Sequence, residues 1–158
     1  TSALLEFEKP YQFDLHYELP FFIDDTFIFK SPQNETLEEF VTKRSIAQKA
    51  IQNFLEEERL VSEIRIWPHH FDLGAFAAIT NTEKSIGIGL AVADTVVPET
   101  YFYISGYQNN AAMDTTGLDA LTLGKWKNNG FKGGVLSAQK VTETTAATFL
   151  KQAFHALK

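Results

Sequence analysis

The run Ile86-Gly87-Ile88-Gly89-Leu90-Ala91-Val92 constrains this chain more than any other. Bulky and small side chains alternate at every second position, which is the period of a strand and not of a helix. Upstream, Phe71 to Ile79 alternates in the same sense, and Asn81-Thr82-Glu83-Lys84 supplies a turn between them. The pair reads as a hairpin. With Ile79 beside Ile86, one face gathers Phe71, Leu73, Ala75, Ala77 and Ile79 with Ile86, Ile88, Leu90 and Val92. That face is the expected core. The other face carries His70, Asp72, Gly74, Phe76 and Ala78, opposite Gly87, Gly89, Ala91 and Ala93, and is almost bare of bulk. Glycine inside a strand marks the close approach of a ligand or of another part of the chain.

Further strands are expected at Tyr11 to Leu19, within Phe21 to Lys30, at Ser62 to Ile66, Glu99 to Tyr107 and Phe131 to Ala138. Residues 108–120 read as loop, Leu121 to Lys127 is ambiguous, and Asn128-Asn129-Gly130 is a turn. Two helices stand out. Over residues 36–58, Leu37, Phe40, Val41, Ala47, Ile51, Phe54 and Leu55 recur at helical spacing, and Thr36 with Glu39 forms a capping-box pattern. Glu56-Glu57-Glu58 opposes the helix dipole at its end. Over residues 142–157, Ala146, Phe149, Leu150, Ala153 and Leu157 share one face. The expectation is a single α+β domain over 1–158, a mainly antiparallel sheet with two packing helices. Lacking an initiator Met, the chain reads as processed or as a piece of something longer.

Composition narrows the function classes. A net charge of −6 argues against a nucleic-acid partner or an anionic membrane surface, and the basic cluster Lys125, Lys127 and Lys132 is small. With no cysteine, disulfides, thiolate catalysis and Cys-based zinc sites drop out, which fits a cytoplasmic location. No apolar run has the length of a membrane span and no signal peptide is visible. Nothing sets an oligomeric state.

The candidate site centres on Trp67-Pro68-His69-His70-Phe71-Asp72. Strand alternation puts His70 with Asp72 above the glycines and leaves His69 as structural. If Glu99, Tyr101 and Tyr103 lie on that face, they rim a shallow concavity floored by Gly87 and Gly89, with Trp67 and Trp126 as walls. Such a surface suits an unknown small molecule and requires no cofactor. A second reading is an acid–base or metal-assisted enzyme, hydrolase-like, with His70 working against Asp72 or Glu99. In its metal version His70, Asp72 and Glu99 are the ligands, although the chain has no established metal-binding spacing. A third is a structural or protein-interaction module. The plainest alternative is that aromatic rings from a neighbouring strand cover the glycines and leave no cavity.

Taken in order, Trp67-Pro68-His69-His70-Phe71-Asp72, Ile86-Gly87-Ile88-Gly89, Pro98-Glu99-Thr100-Tyr101-Phe102-Tyr103, Gly124-Lys125-Trp126 and Gly130-Phe131-Lys132-Gly133-Gly134-Val135-Leu136 resemble an uncharacterised, mainly bacterial domain-of-unknown-function family. The resemblance covers about residues 62–155. Thr100 stands where that pattern has Pro, and Lys125 where it often has His. The resemblance implies a site near the first motif and no reaction.

Overall fold

The structure, a computed structural model, describes residues 26, 28, 31–68 and 70–158. The strands expected at Tyr11 to Leu19 and within Phe21 to Lys30, and His69, lie outside the described residues. The chain divides after Pro32, and all elements below belong to the unit Gln33–Lys158. They run α1 (Asn34–Glu57), β1 (Arg65–Trp67), β2 (Asp72–Ala78), β3 (Lys84–Ala91), β4 (Tyr101–Gln108), β5 (Ala111–Ala112), β6 (Lys125–Lys127), β7 (Gly133–Ser137) and α2 (Glu143–Leu157). This is an α+β fold. Its sheet has the order β1-β2-β3-β4-β7-β6, and each pairing is antiparallel. β5 shares an edge of β4 with β7: β7 pairs with Tyr101–Ile104, and β5 with Tyr107 and Gln108.

The hairpin register slips by two from the expected one. Ala77, not Ile79, faces Ile86, while Gly74 faces Gly89 and Phe76 faces Gly87. A slip of two leaves the paired residues, Leu73 to Ala78 and Ser85 to Leu90, on their expected faces. Leu73, Ala75, Ala77, Ile86, Ile88 and Leu90 are buried with Phe102 and Ile104, and both helices cover this face. α1 packs on β2 and β3, and α2 on β4 and β7. Phe54 and Phe154 meet edge to face at 5.5 Å between the helices. Each fully buried Phe contributes on the order of 2–3 kcal/mol from removal of its surface from water.

The helix ends show what local signals decide. α1 starts at Asn34, two residues before the expected start, with Gln33 at the N-cap and no side-chain cap. Thr36 therefore lies inside the first turn, and its capping-box pattern goes unused. At the other end the glutamates do not fray the helix. Leu60 N–H donates to the Leu55 carbonyl at 2.8 Å and Arg59 N–H to that of Glu56 at 3.2 Å, a Schellman closure with Arg59 left-handed at φ 55°. Lys151 pairs with Glu57, and His155 lies 3.4 Å from Glu58, so α2 supplies the countercharge. α2 is capped by Thr142 and Thr145 reciprocally.

Two strands go beyond those expected from the sequence. Asn109 and Asn110, at φ 51° and 63°, make a tight turn that returns Ala111–Ala112 to β4, inside a stretch expected to be loop. The ambiguous Leu121 to Lys127 contributes the edge strand β6.

Candidate functional site

In the run from Trp67 to Asp72, β1 ends at Trp67 and β2 starts at Asp72, and Pro68, His70 and Phe71 lie in the turn between them. Phe71 N–H donates to the Trp67 carbonyl at 2.7 Å, and Phe71 is left-handed at φ 59°. For a bulky residue that conformation costs roughly 1–2 kcal/mol. It is held from α1. The Arg44 guanidinium donates to the Phe71 carbonyl and lies over the rings of Phe40 at 4.7 Å and Phe71 at 5.5 Å. The left-handed residue breaks alternation. Phe71, expected in the core, is 59 % exposed, and His70 falls in an exposed turn ahead of β2 instead of beside Asp72 on it.

Below the turn, the face away from the helices is laid out by register. Trp67 pairs with Asp72 at the start of β2, and Ala91, Tyr101 and Ser137 form a row across β3, β4 and β7. The next row is Arg65, Gly74, Gly89, Tyr103 and Val135. Tyr103 lies across its own row. A Cβ on Gly89 would stand 2.7 Å from two atoms of the Tyr103 ring, and one on Gly74 would stand 2.9 Å from its hydroxyl. The hydroxyl ends the reach by donating to Asp72 Oδ2 at 2.6 Å. Gly87 is approached by Ser105, Tyr107 and Phe76 at 3.2–3.7 Å. The concavity expected over Gly87 and Gly89 is thus filled. Gly74 and Gly89 seat Tyr103, which a side chain at either would displace.

Asp72 is nine-tenths buried, and its Oδ1 is sealed from water without a hydrogen-bond partner. A buried carboxylate oxygen in that state costs about 1–3 kcal/mol. Burial and the Asp72 bond push the Tyr103 hydroxyl far above its ordinary range. Tyr101 is raised similarly, by burial and then by Asp94, whose Oδ2 accepts from it at 2.9 Å. Asp94 Oδ1 takes the amides of Val96 and Val97 at 2.7 and 3.0 Å, which folds the 92–100 loop so that Val96 and Val97, like Tyr103 and Phe131, pack against the cluster of Ala91, Tyr101 and Val135.

Other expected members stand elsewhere. Trp126 pairs with Gly134, packs against the helix-side core and donates its indole N–H to the Asp119 carbonyl at 2.9 Å, so it is on the wrong face to wall this site. Glu99 lies in the bend before β4, not on the strand with Tyr101 and Tyr103. Among the described residues no three of His, Asp or Glu form a group that could hold a metal ion, so His70, Asp72 and Glu99 are not brought together as a ligand set.

The open half of the face lies at the β1–β2 edge. Ser62, Glu63, Arg65, Trp67 and Phe76 line a cleft of about 300 Å³. Gly74, directly across from Arg65, lies under the Tyr103 hydroxyl and is not part of the lining. Arg65 is tied to Glu63 through Nε and Nη2 at 3.1 and 2.5 Å. Ser62 Oγ donates to the Phe76 carbonyl at 2.8 Å. No pattern in the sequence singles out Ser62, Glu63, Arg65 or Asp94. Strand alternation puts Phe76 on the correct face without marking it as part of a site. A search of protein-family models, of curated proteins and of solved structures finds no significant match to this chain.

Proposed function

We propose that this protein binds a small organic molecule in the β1–β2 edge cleft. Trp67 and Phe76 are its aromatic walls, and Glu63 and Arg65 its charged rim. The observation that carries the reading is an aromatic cleft of ligand size with a charged pair on its rim. Binding is favoured over proton transfer because Asp72 is engaged by Tyr103 and His70 stands outside the strand. The resemblance of the Trp67-to-Asp72 segment to an uncharacterised family is compatible with this and adds no reaction.

The two tryptophans provide an internal control, since they lie on opposite faces of the sheet. In an aromatic-fragment screen followed by indole N–H resonances, hits should move the Trp67 signal and leave that of Trp126 in place. Trp67→Ala should remove the response. Hits that move only Trp126, or that bind Trp67→Ala equally well, would contradict the proposal.

A further inference from the structure

We propose that Asn129 is a site of spontaneous covalent modification: the Gly130 backbone nitrogen attacks its side-chain amide, and the residue converts to aspartate and isoaspartate. The site lies on the turn between β6 and β7, at the opposite end of the sheet order from β1 and the cleft.

Asparagine is one of the thermolabile residues, and its neighbours decide how labile it is. Of the seven asparagines in the chain, only Asn129 is followed by glycine. A Cβ on the following residue crowds the approach of its backbone nitrogen, and glycine has none. The fold leaves the pair open at a loop tip, where chemical change concentrates. Asn129 and Gly130 are both exposed, Gly130 is left-handed at φ 75°, and a Cβ placed on it would meet nothing within 4 Å. Among the described residues, nothing hydrogen-bonds the Asn129 side chain or the Gly130 N–H.

Asn128, one residue earlier, is the internal contrast. Its Oδ1 accepts from the Thr115 amide at 3.3 Å, and its Nδ2 donates to Asp114 Oδ1 at 2.5 Å and to Thr116 Oγ1. Its carboxamide cannot turn to the next nitrogen without breaking those bonds, and that nitrogen belongs to a residue with a Cβ. Asn53 is held inside α1 and donates to Glu143 at 2.9 Å.

The step needs only water. Hydroxide takes the Gly130 N–H proton, and the freed electron pair attacks Asn129 Cγ. The Cγ–Nδ2 bond breaks, and Nδ2 takes up a proton and leaves as ammonia. The product is a cyclic imide that joins Cγ and the Asn129 main-chain carbonyl carbon through the Gly130 nitrogen. One water then opens the ring. Cleavage between nitrogen and Cγ gives aspartate. Cleavage between nitrogen and the main-chain carbonyl carbon gives isoaspartate, with the chain now running through Cγ. Asparagine and one water thus become one acid and one ammonia. The turn is anchored on one side by the Asn128 bonds. On the other, Gly133 approaches β4 so closely that a Cβ on it would stand 2.3 Å from the Ile104 carbonyl oxygen. The additional main-chain carbon of isoaspartate must be absorbed between those anchors.

The test incubates the full chain at mildly alkaline pH. Peptide mapping by mass spectrometry follows each asparagine, and an isoaspartyl methyltransferase with S-adenosylmethionine counts isoaspartate. Asn129 should convert at least tenfold faster than any other asparagine, with isoaspartate among its products. Its rate should rise with pH, since a proton leaves Gly130 first. It should also be less than tenfold slower than in the guanidinium-unfolded chain, because the fold does not shield the pair. Gly130→Ala should slow conversion at least tenfold. Should that variant fail to fold, the same comparison made on both unfolded chains decides. Conversion led by another asparagine, or an unchanged rate in Gly130→Ala, overturns the proposal. Aspartate without isoaspartate overturns the ring closure, and protection of tenfold or more in the folded chain overturns the open turn.

Discussion

Gly89→Ala should destabilise the protein by about 1–3 kcal/mol, the usual range for forcing a methyl into a filled space. The new Cβ would lie 2.6 Å from the Leu73 carbonyl oxygen and 2.7 Å from two ring atoms of Tyr103. Carbon atoms rest at about 3.5–4.0 Å, so the ring must retreat by roughly 1 Å. Retreat stretches the 2.6 Å bond to Asp72, and its loss alone is worth about 1–3 kcal/mol. Alanine restricts the unfolded chain and returns only about 0.4–1 kcal/mol. Gly87→Ala is the matched control in the same strand. Its Cβ would meet the Ser105 hydroxyl at 3.2 Å and ring atoms at 3.6 and 3.7 Å, contacts that a small rotation relieves. It should be neutral or slightly stabilising. Urea denaturation of both variants measures the difference. For a unit of this size each kcal/mol also moves Tm by roughly 3–5 °C. If Gly89→Ala unfolds at the same urea concentration as Gly87→Ala, the ring is not seated on Gly89 and the reasoning fails.

Three further outcomes are expected. Tyr101 and Tyr103 have hydroxyl pKa values raised above the unfolded value, so their contribution to stability is complete below about pH 10 and is lost as pH rises toward their folded values. Alkaline unfolding should therefore begin later in Tyr103→Phe, relative to its own stability at pH 8, and equal relative loss in both proteins would count against the Asp72 pairing. Asp114 is held down to about 2 by the Thr116 amide and by the Thr116 and Asn128 side chains, so the stability it contributes is complete above about pH 4 and disappears as pH falls toward 2. Asp114→Asn should flatten the fall of Tm between those values, and an unchanged slope would show the loop bonds to be unimportant. Arg59→Gly should add about 1 kcal/mol, because glycine accepts the left-handed position that closes α1 without steric cost, and a lower Tm would mean that the arginine side chain has work elsewhere.

The alternation of Ile86 to Ala91 makes the hairpin, its two faces and the side that takes the helices legible in the sequence alone, because a period of two has one geometric meaning. The purpose of the bare face is harder to read. Glycines that seat a ring and glycines that floor a pocket look alike in sequence. The choice depends on β4 placing Tyr103 opposite Gly89, a pairing between residues fourteen apart that no local pattern dictates. Phe71 carries no warning that it turns left-handed, since the Arg44 contacts that hold it come from α1, 27 residues away. That one residue moves His70 out of the strand. The strand β5 is hidden for the opposite reason: two adjacent asparagines suffice for a tight turn, but Ala111 and Ala112 are too short a run to show a period. Trp126 reads as a wall because it is aromatic, and the parity of β6 puts it on the other side.

The seating of Tyr103 on the glycine floor underlies both the filled face and the placement of the cleft. Proton NMR tests it directly. Cross-peaks should join the Tyr103 ring protons to the α-protons of Gly89 and Gly74, with the Gly89 α-protons displaced upfield by the ring current. Gly89 α-protons at ordinary positions, with no cross-peak to Tyr103, would contradict the account.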